Sequence, residues 1–353
     1  MGTLTIPAQA DDHVALCGQV LDHYLIENLV AHGGMADIFR ATDLRTAQPV
    51  AIKIPHPELE NDDALMQSFA REARILQMLD HPGIVRVIRE PGHSRPYMVM
   101  EWLRGRLLRD ILNEQGKLPA ERAVRIALSI CDTLEYMHRD DVVHRDLKPE
   151  NIMVDANDRI KIIDFGIALT VASKRLTFSP CSKAMGTPDY ISPEQVKGKR
   201  GDRRSDVYAL GMILYEMLSG EPAFSGPNPL VVMNARLLSD PPAIRTVNPA
   251  ISPQLEEIVC RALESDPKVR YAGARDFAVD LRNPSQVQVP KRSLLRQQRS
   301  HRSAAKRILL YVGFAVIPLL IFGLLLLEAR REARSTRSSS TSQAFLGAVQ
   351  NMS

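Results

Sequence analysis

The stretch that decides the fold of this sequence is His144-Arg145-Asp146-Leu147-Lys148-Pro149-Glu150-Asn151. It places a carboxylate, an ammonium group and an amide within six residues, at Asp146, Lys148 and Asn151. Thirteen positions after Asn151 comes a second motif, Asp164-Phe165-Gly166. Asn151 and Asp164 carry hard oxygen ligands of the kind that Mg²⁺ or Mn²⁺ prefers. The two motifs therefore predict one site that holds a divalent metal ion beside a reactive carboxylate.

The residue types in these motifs indicate transfer of a phosphoryl group from Mg-ATP to a hydroxyl. Asp146 could orient and deprotonate the attacking hydroxyl, and Lys148 could neutralise the charge that builds up on the transferred phosphate. The alternative is an ordinary strand, loop and strand with scattered charges. Both motifs have the residues, position by position, and the order that are typical of enzymes for phosphoryl transfer, which disfavours that alternative.

Composition bounds the class of protein. The chain has 353 residues, room for about two domains, and 45% of them are apolar, which is ample for a large core. Its four cysteines lie far apart, with no CxxC pair: Cys17, Cys131, Cys181 and Cys260. This spacing argues against a zinc site and a disulfide framework, and it favours a reducing compartment.

A glycine hairpin is predicted between the first two strands, in the run Val30-Ala31-His32-Gly33-Gly34-Met35-Ala36-Asp37-Ile38. Such a turn lets backbone N–H groups approach the phosphates of ATP. The full pattern would be GxGxxG followed by x-Val, but only its middle glycine, Gly33, is present. The hairpin alone would fit an ordinary turn equally well. The predicted nucleotide contacts here are Val30, Ala31, Gly33, Gly34 and Ile38.

A lysine ends the apolar strand that follows, in Val50-Ala51-Ile52-Lys53. An ammonium group there is costly to bury unless it is paired, and phosphate oxygens and a carboxylate are its natural partners. Glu72 lies nineteen residues on, in a predicted helix, and is preferred as the partner over Glu60.

The adenine is expected near Met100-Glu101-Trp102-Leu103, where a strand gives way to a linker. Backbone carbonyl and amide groups of Glu101 and Leu103 could contact the purine edge, and Met100 would close the back of the pocket.

Apolar periodicity predicts a β-rich segment up to about residue 101 and a helical one from Arg106 onward. Strands are predicted over residues 24–30, 35–41, 50–54, 84–89 and 97–101, with one helix over 64–79 among them. Later helices are predicted over 120–138, 207–218, 254–263 and 273–281. Ser205 is the expected N-cap of the third of these five helices.

Together these motifs resemble the eukaryotic-like (Hanks-type) serine/threonine protein kinases of bacteria. The resemblance covers about residues 24–281 and rests on HGGMADIF, VAIK, FAREARIL, DHPGIV, VHRDLKPEN, IKIIDFGIA, GTPDYISPEQ, SDVYALGMILYEML and DPKVRY. It implies an α+β bilobal fold with the active site between the lobes. The kinase domain would span residues 23–282, with a β-rich N-lobe at 23–102 and a mainly helical C-lobe at 103–282.

The resemblance also implies a role for each residue of the catalytic run. Asp146 would be the catalytic base, Lys148 would contact the γ-phosphate, and Asn151 and Asp164 would bind Mg²⁺. Positioning and charge neutralisation would contribute more than proton removal.

Substrate class follows from the same resemblance. Lys53 would hold the α- and β-phosphates while paired with Glu72. The form Lys148-Pro149-Glu150-Asn151 is typical of serine/threonine kinases, and Gly186-Thr187-Pro188-Asp189-Tyr190 supports that class. Expected partners are proteins with serine or threonine hydroxyls, with no nucleic acid. Dimerisation through the smaller lobe is an expectation from the family alone.

Arg145 precedes the catalytic aspartate, and in kinases with this arginine a phosphate on the activation segment can order the loop. The candidates nearest the expected position are Thr177, Ser179 and Ser182. The resemblance further implies a buried ion pair between Glu194 and Arg270, and a bracing role for Asp206 at the catalytic loop backbone.

One segment reads as a membrane span. Residues 308–327 are twenty residues without a charge, enough to cross a hydrocarbon core of about 30 Å. A buried core helix is the alternative, but such helices usually have a polar face. The linker at 283–307 carries seven Lys or Arg and no acidic residue, which predicts a cytoplasmic kinase domain at the inner membrane. Residues 1–22 read as a polar leader and 328–353 as a short extracytoplasmic tail.

Two other functions compete with an active kinase. A pseudokinase that serves as a membrane-tethered scaffold draws support only from Ala31 and Ala36, which replace the outer glycines of the hairpin. A small-molecule phosphotransferase is disfavoured by the GTPDYISPE segment, which by the resemblance receives an extended peptide.

Overall fold

The computed structural model describes residues 16–90, 92–165 and 189–289. The strands of its first sheet alternate between buried and more exposed residues. Tyr24, Ile26, Phe39 and Ile52 point to one face and are almost fully buried there, as period-two strands require. The five strands pair antiparallel in chain order: β1 Val20–Leu21, β2 Tyr24–His32, β3 Ala36–Asp43, β4 Gln48–Pro55 and β5 Met98–Glu101.

The sheet begins earlier than the sequence suggested. β1 lies within residues 1–22, which were expected to form a polar leader. It pairs with the start of β2, and the backbone N–H of Gly18 donates to the Ile26 carbonyl at 2.8 Å. Leu16 and Cys17 pack against the buried face of the sheet. The apolar residues of this stretch therefore cover the sheet edge rather than remaining solvated.

The strand predicted over residues 84–89 is wrong. This segment makes only isolated bridges, Ile84 with Ile162 and Val87 with Met100. Its backbone bonds are divided between two partners: Val85 N donates to the Ile162 carbonyl at 3.0 Å, and Ile88 N donates to the Val99 carbonyl at 2.8 Å. Because it changes partner midway, it never forms a continuous ladder, and the fifth strand of the sheet is instead β1, which was not predicted.

The helices of the first lobe are α1, Pro57–Glu60, and α2, Asp63–Met78. Asp62 caps α2 by accepting hydrogen bonds from the backbone N–H groups of Ala64 at 3.0 Å and Leu65 at 3.2 Å. The prediction of a helix over 64–79 is thus confirmed to within one residue at each end. Its inner face buries Glu72 and Leu76.

The second lobe is mainly helical. Its helices are α3 Leu108–Gln115, α4 Ala120–Arg139, α5 Pro193–Val196, α6 Arg203–Ser219, α7 Pro229–Leu238, α8 Ile244–Val247, α9 Pro253–Ala262 and α10 Ala274–Arg282. A small sheet of β6 Arg106–Leu107, β7 Ile152–Val154 and β8 Ile160–Ile162 lies among them, with 3-10 turns at Pro149–Asn151 and Pro284–Gln286. Predicted helices over 120–138, 254–263 and 273–281 are confirmed to within a residue or so.

The central helix α6 corrects one predicted cap. Every residue from Ser205 to Ser219 is buried, as an apolar sequence on all sides of a helix requires. Asp202 is the N-cap and accepts from Arg204 N at 2.8 Å. Ser205 lies inside the helix, where its hydroxyl donates to Glu194 Oε1 at 2.7 Å. The carboxylate of Asp202, the residue directly before the helix, takes the capping position, so the prediction for Ser205 is wrong.

Across the ranges 16–90, 92–165 and 189–289, none of the helices has both the length and the apolar character to cross a membrane. The predicted span at 308–327, the basic linker beyond 289 and the tail at 328–353 lie outside these ranges.

Candidate active site

The segment between α4 and β7 brings together three side chains that the sequence predicted to act as a unit. Oδ2 of Asp146 accepts a hydrogen bond from Lys148 Nζ at 2.7 Å and from Asn151 Nδ2 at 3.3 Å. The Asn151 amide also donates to the Asp146 carbonyl at 2.9 Å. One oxygen of the carboxylate is thus fixed by two neighbours, while Oδ1 is outside these bonds.

The backbone of this loop is held from α6, as predicted for Asp206. Its carboxylate accepts hydrogen bonds from the backbone N–H groups of His144 at 2.9 Å and Arg145 at 2.8 Å, and from His138 Nε2 at 2.8 Å. Burial alone would raise the pKa of Asp206, but the bond and charge of His138 outweigh it and lower the pKa. Arg145 has a φ of 68°, an uncommon conformation that this brace stabilises next to Asp146.

Lys53, at the cleft end of β4, joins two carboxylates from distant parts of the chain. Its Nζ lies 2.9 Å from Glu72 Oε1 and 2.8 Å from Asp164 Oδ1. The predicted pairing with Glu72 is confirmed, and Glu60 instead pairs with Arg95. The bridge connects β4, α2 and the segment after β8, which places the second motif beside the lysine.

Lys53, Glu72 and Asp164 change one another's pKa values through their charges. Burial would lower the pKa of Lys53, but Asp164 and Glu72 outweigh it and raise the pKa. Partial burial would raise the pKa of Asp164, but the charge of Lys53 outweighs that effect and lowers the pKa below its usual range. Burial raises the pKa of Glu72, and the charge of Asp164 adds to this against the pull of Lys53. Asp164, whose side chain is 42% exposed, is therefore ionised at neutral pH.

His144 of the first motif and Phe165 of the second are in contact. Their rings stack with centroids 5.1 Å apart, and both side chains are buried. Burial lowers the pKa of His144, so the ring is neutral, and its Nδ1 accepts from the Asp146 backbone N–H at 3.3 Å. This neutral ring positions both the catalytic loop and the residue that follows Asp164.

The glycine hairpin joins β2 to β3 opposite Lys53. Ala31 lies opposite Ile38 in the sheet register, and Ile38 lies opposite Lys53, so the three residues form one row across three strands. Gly33 N donates to the Ala36 carbonyl at 3.2 Å. A Cβ on Gly33 would lie 2.6 Å from that oxygen, so glycine is required there. Gly34 lies within the turn, and Val30 lies in β2, two residues before its end.

The predicted adenine end lies at β5 and the residue after it. Met100 is buried and Leu103 packs against the core. The backbone N–H of Glu101 donates to the Arg86 carbonyl at 3.0 Å. That amide is not available to a purine, which corrects part of the prediction: of the Glu101 backbone groups, the carbonyl is the one that could contact the base.

A scan against protein-family models matches residues 24–279 to one model, described as "Protein kinase domain". The chain belongs to this family. The match includes every residue discussed above, from the hairpin through Asp206.

The kinase relatives are bacterial. A probable serine/threonine-protein kinase of Streptomyces coelicolor is 38% identical over 264 residues, covering 73% of this chain and 39% of the relative. The serine/threonine-protein kinase PknB of Mycobacterium tuberculosis is 37% identical over 265 residues, covering 74% of this chain and 42% of the relative. The matched part therefore makes up about two fifths of the length of these curated relatives.

Solved kinase structures share the fold. The kinase domain of Mycobacterium tuberculosis PknI superposes with a TM-score of 0.59 at 23% identity, covering 76% of this chain and 98% of that one. Rad53 residues 1–466 in complex with AMP-PNP superposes with a TM-score of 0.60 at 26% identity, covering 72% of this chain and 64% of that one.

The predicted ion pair between Glu194 and Arg270 is present, and it is buried in the helical lobe. Both terminal nitrogens of Arg270 donate to Glu194, at 2.7 Å each. Ser205 adds a third bond to the carboxylate. Burial would raise the pKa of Glu194, but the bonds and charge of Arg270 outweigh it and lower the pKa. Glu194 is thus ionised and fully bonded, and it ties α5 to the loop before α10.

Sequence reasoning missed a second ionic group in this kinase domain. Arg109 of α3 donates to Glu150 at 2.8 Å and to Glu216 at 2.7 Å, and Tyr190 bonds to both Arg109 and Glu216. Glu150 belongs to the run quoted above, but nothing in the sequence pairs it with Arg109, which lies 41 residues earlier. The group fixes Tyr190, the last residue of the GTPDY segment.

Several predicted kinase residues lie outside the described ranges. These are Gly166, Thr187 and the phosphorylation candidates Thr177, Ser179 and Ser182.

Proposed function

We propose that this chain is an active serine/threonine protein kinase that transfers the γ-phosphate of ATP to hydroxyls of proteins. The observation that carries the proposal is the Asp146 carboxylate, held through one oxygen by Lys148 and Asn151. The names of the bacterial relatives support the serine/threonine class, and the AMP-PNP complex of Rad53 supports a nucleotide in the same fold.

Phosphoryl transfer needs one group to orient the attacking hydroxyl and another to neutralise charge on the phosphate, and residues of this chain can serve both roles. Because Lys148 and Asn151 fix Oδ2 of Asp146, Oδ1 can face an incoming hydroxyl and accept its proton. Lys148 Nζ, 2.7 Å from that carboxylate, can also contact the transferred phosphate. The buried brace from Asp206 keeps both in place, so little reorganisation is needed at the moment of reaction.

A divalent metal ion fits the donors beside this carboxylate. Asp164 is ionised and partly exposed, and the nitrogen of the Asn151 amide is used in bonds to Asp146, which leaves its oxygen as a ligand. This all-oxygen set suits Mg²⁺ or Mn²⁺. When bound, the ion would neutralise charge on the β- and γ-phosphates. Lys53, held by Glu72, would contact the α- and β-phosphates.

Phosphosite mapping after incubation with Mg-ATP tests the proposal. We expect phosphate on serine and threonine and none on tyrosine, clustered at Thr177, Ser179 and Ser182. Autophosphorylation there would give Arg145 a phosphate partner. Mass spectrometry on the full chain, before and after phosphatase treatment, is the measurement. A chain that stays unlabelled with either Mg²⁺ or Mn²⁺ would instead support the scaffold function.

We further propose that residues 308–327 anchor the kinase in the inner membrane, with the kinase domain in the cytoplasm. Twenty uncharged residues after a basic linker support this topology. We expect the full chain to sediment with membranes and to resist alkaline extraction. Leu319→Arg with Leu320→Arg should release it, because each central charge costs about 2.5–3.5 kcal/mol. Leu319→Ala with Leu320→Ala is the matched control, and equal release of both double variants would contradict the anchor.

A further inference from the structure

Two histidines and an aspartate converge at the tip of the glycine hairpin. Asp37 Oδ1 lies 2.7 Å from His32 Nδ1 and 3.0 Å from His56 Nε2. One donor atom from each residue lies within 4.8 Å of the other two. The two imidazole rings stack with centroids 5.1 Å apart and an interplanar angle of 16°. Both rings therefore approach the same carboxylate oxygen from one side of the sheet.

The backbone fixes this arrangement. His32 and Asp37 are direct cross-strand neighbours in the register of β2 and β3, which brings their side chains to the same face. Asp37 lies opposite Ile54 of β4, and His56, directly after β4, is two residues beyond Ile54, so it points to the same side as Ile54. His56 N also donates to the Met35 carbonyl at 3.1 Å. Two neighbouring strands and the residue directly after a third thus contribute one donor each.

The cluster lies on the opposite face of the sheet from Lys53. Ile38 shares the face of Lys53, its register partner, and Asp37 as the preceding residue points the other way. That other face holds Phe39, Ile52 and the rest of the sheet's own apolar cluster. A ligand held by the two histidines would therefore be separate from any metal ion at Asp164.

The donor set has the chemistry of a transition-metal site. Two imidazole nitrogens and one carboxylate oxygen are typical ligands of Zn²⁺, with bond lengths of about 2.0–2.2 Å and a fourth position for water. Tetrahedral ligands are then about 3.3 Å apart, a few tenths of an ångström more than the two distances here. Asp37 is 2% exposed, whereas 61% of the His32 side chain is exposed, which gives an ion a way in.

A second cluster in the same sheet provides a contrast. His23 Nε2 lies 2.9 Å from Glu90 and 4.0 Å from Asp43. There the guanidinium of Arg45 bonds to both carboxylates and supplies the positive charge. At Asp37, by comparison, two imidazole nitrogens lie within 3.0 Å of one carboxylate oxygen. Imidazole nitrogens are common metal ligands when the ring is neutral.

We propose that His32, Asp37 and His56 form a binding site for one Zn²⁺-class divalent ion that fixes the tip of the glycine hairpin to the end of β4. The expected absence of zinc rested on cysteine spacing, which does not concern a site built from histidine and aspartate. Bound metal would join the hairpin and β4 by coordinate bonds, in addition to the backbone bond from His56 to Met35. The site would restrict the hairpin without touching Lys53 or Asp164.

Cobalt titration of the full chain, purified in detergent without a polyhistidine tag, tests the site. Co²⁺ in a tetrahedral site with nitrogen ligands absorbs visible light strongly, whereas Co²⁺ with six oxygen ligands absorbs weakly. Excess Mg²⁺ occupies the oxygen site at Asp164, and nucleotide is left out. We expect one strongly absorbing Co²⁺ per chain, displaced by one equivalent of Zn²⁺.

Variants separate this cluster from other histidines. His32→Gln and His56→Gln should each weaken Co²⁺ binding by about 100-fold or more, whereas His23→Gln, in the contrasting cluster, should bind as the parent does. His32 is largely exposed, so its replacement leaves the core intact; melting curves of the metal-free variants check this. Hydrogen exchange of the amides from Gly33 to Asp37 should slow when Zn²⁺ binds the parent but not His32→Gln.

Three outcomes would overturn the proposal. They are an absence of the strong band in the parent, a band that persists in both His32→Gln and His56→Gln, and a band lost in His23→Gln. The first would leave the cluster as a hydrogen-bonded triad only. None of these outcomes depends on phosphate transfer, so the metal site and the kinase function fail or stand separately.

Discussion

Replacing Asp146 with asparagine is expected to lower the rate of phosphate transfer by about 10²–10⁴-fold, the usual contribution of a general base. Asparagine has nearly the same shape, and its amide oxygen can still accept the bonds that Lys148 and Asn151 now make to Oδ2. It cannot take a proton from the attacking hydroxyl. The measurement is the initial rate of label transfer from radioactive ATP to a generic serine-rich protein, with Mg²⁺ present.

Two controls make the result specific. Asp140→Asn is the same substitution at an exposed position shortly before the catalytic loop, and it should behave as the parent does. Calorimetry should show that the parent and Asp146→Asn bind Mg-ATP with similar affinity, because Asp146 makes no bond to Lys53 or Asp164 in the described structure. Equal transfer rates for the parent and Asp146→Asn would remove the kinase proposal and favour an anchored scaffold.

Removing Glu194 is expected to produce the largest loss of stability, about 3–5 kcal/mol in the free energy of unfolding. Glu194→Ala leaves the Arg270 guanidinium, which is fully buried, without the two charge-assisted bonds it now makes at 2.7 Å. Urea unfolding of the full chain in detergent, followed by the fluorescence of Trp102, is the measurement. Trp102 is the single tryptophan of the sequence.

The control is Glu221→Ala, which removes an exposed glutamate from the same lobe and should change the free energy of unfolding by less than about 0.5 kcal/mol. The loss at Glu194 should also depend on pH. Because folding lowers the pKa of Glu194, its stabilising contribution is complete above the unfolded value of 4.5 and falls as pH drops through the folded value. A difference between parent and Glu194→Ala that stays constant down to strongly acidic pH would contradict the ion-pair account.

The parts of the site that could be predicted are those in which charge requires a partner. A lysine at the end of an apolar strand needs a carboxylate partner. The helix that follows the strand carries Glu72, nineteen residues after Lys53, so this pair was predictable. The Glu194 and Arg270 pair and the brace from Asp206 followed from the resemblance. In each case the local sequence and the fold class point to the same contact.

Most of the parts that could not be predicted depend on strand pairing and register. Residues 84–89 read as a strand because their apolar residues alternate, but periodicity does not show that their hydrogen bonds are divided between two partners. The cap of α6 was misplaced because Asp202 and Ser205 are both good capping residues. The cluster of His32, Asp37 and His56 appears only once the register of three strands is known. The hint in the sequence was the histidine and aspartate among the residues of an incomplete glycine pattern.

The divided bonds of residues 84–89 also bear on how the kinase domain can move. Gly83 and Val85 bond to Ile162 in the helical lobe, while Arg86 and Ile88 bond to β5 in the sheet lobe. These four backbone bonds are worth about 2–6 kcal/mol together, and any sliding of one lobe past the other would break them. A twist about the segment would keep them. Opening and closing of the cleft between the two lobes is therefore expected to be a twist, with this short piece of main chain as its axis.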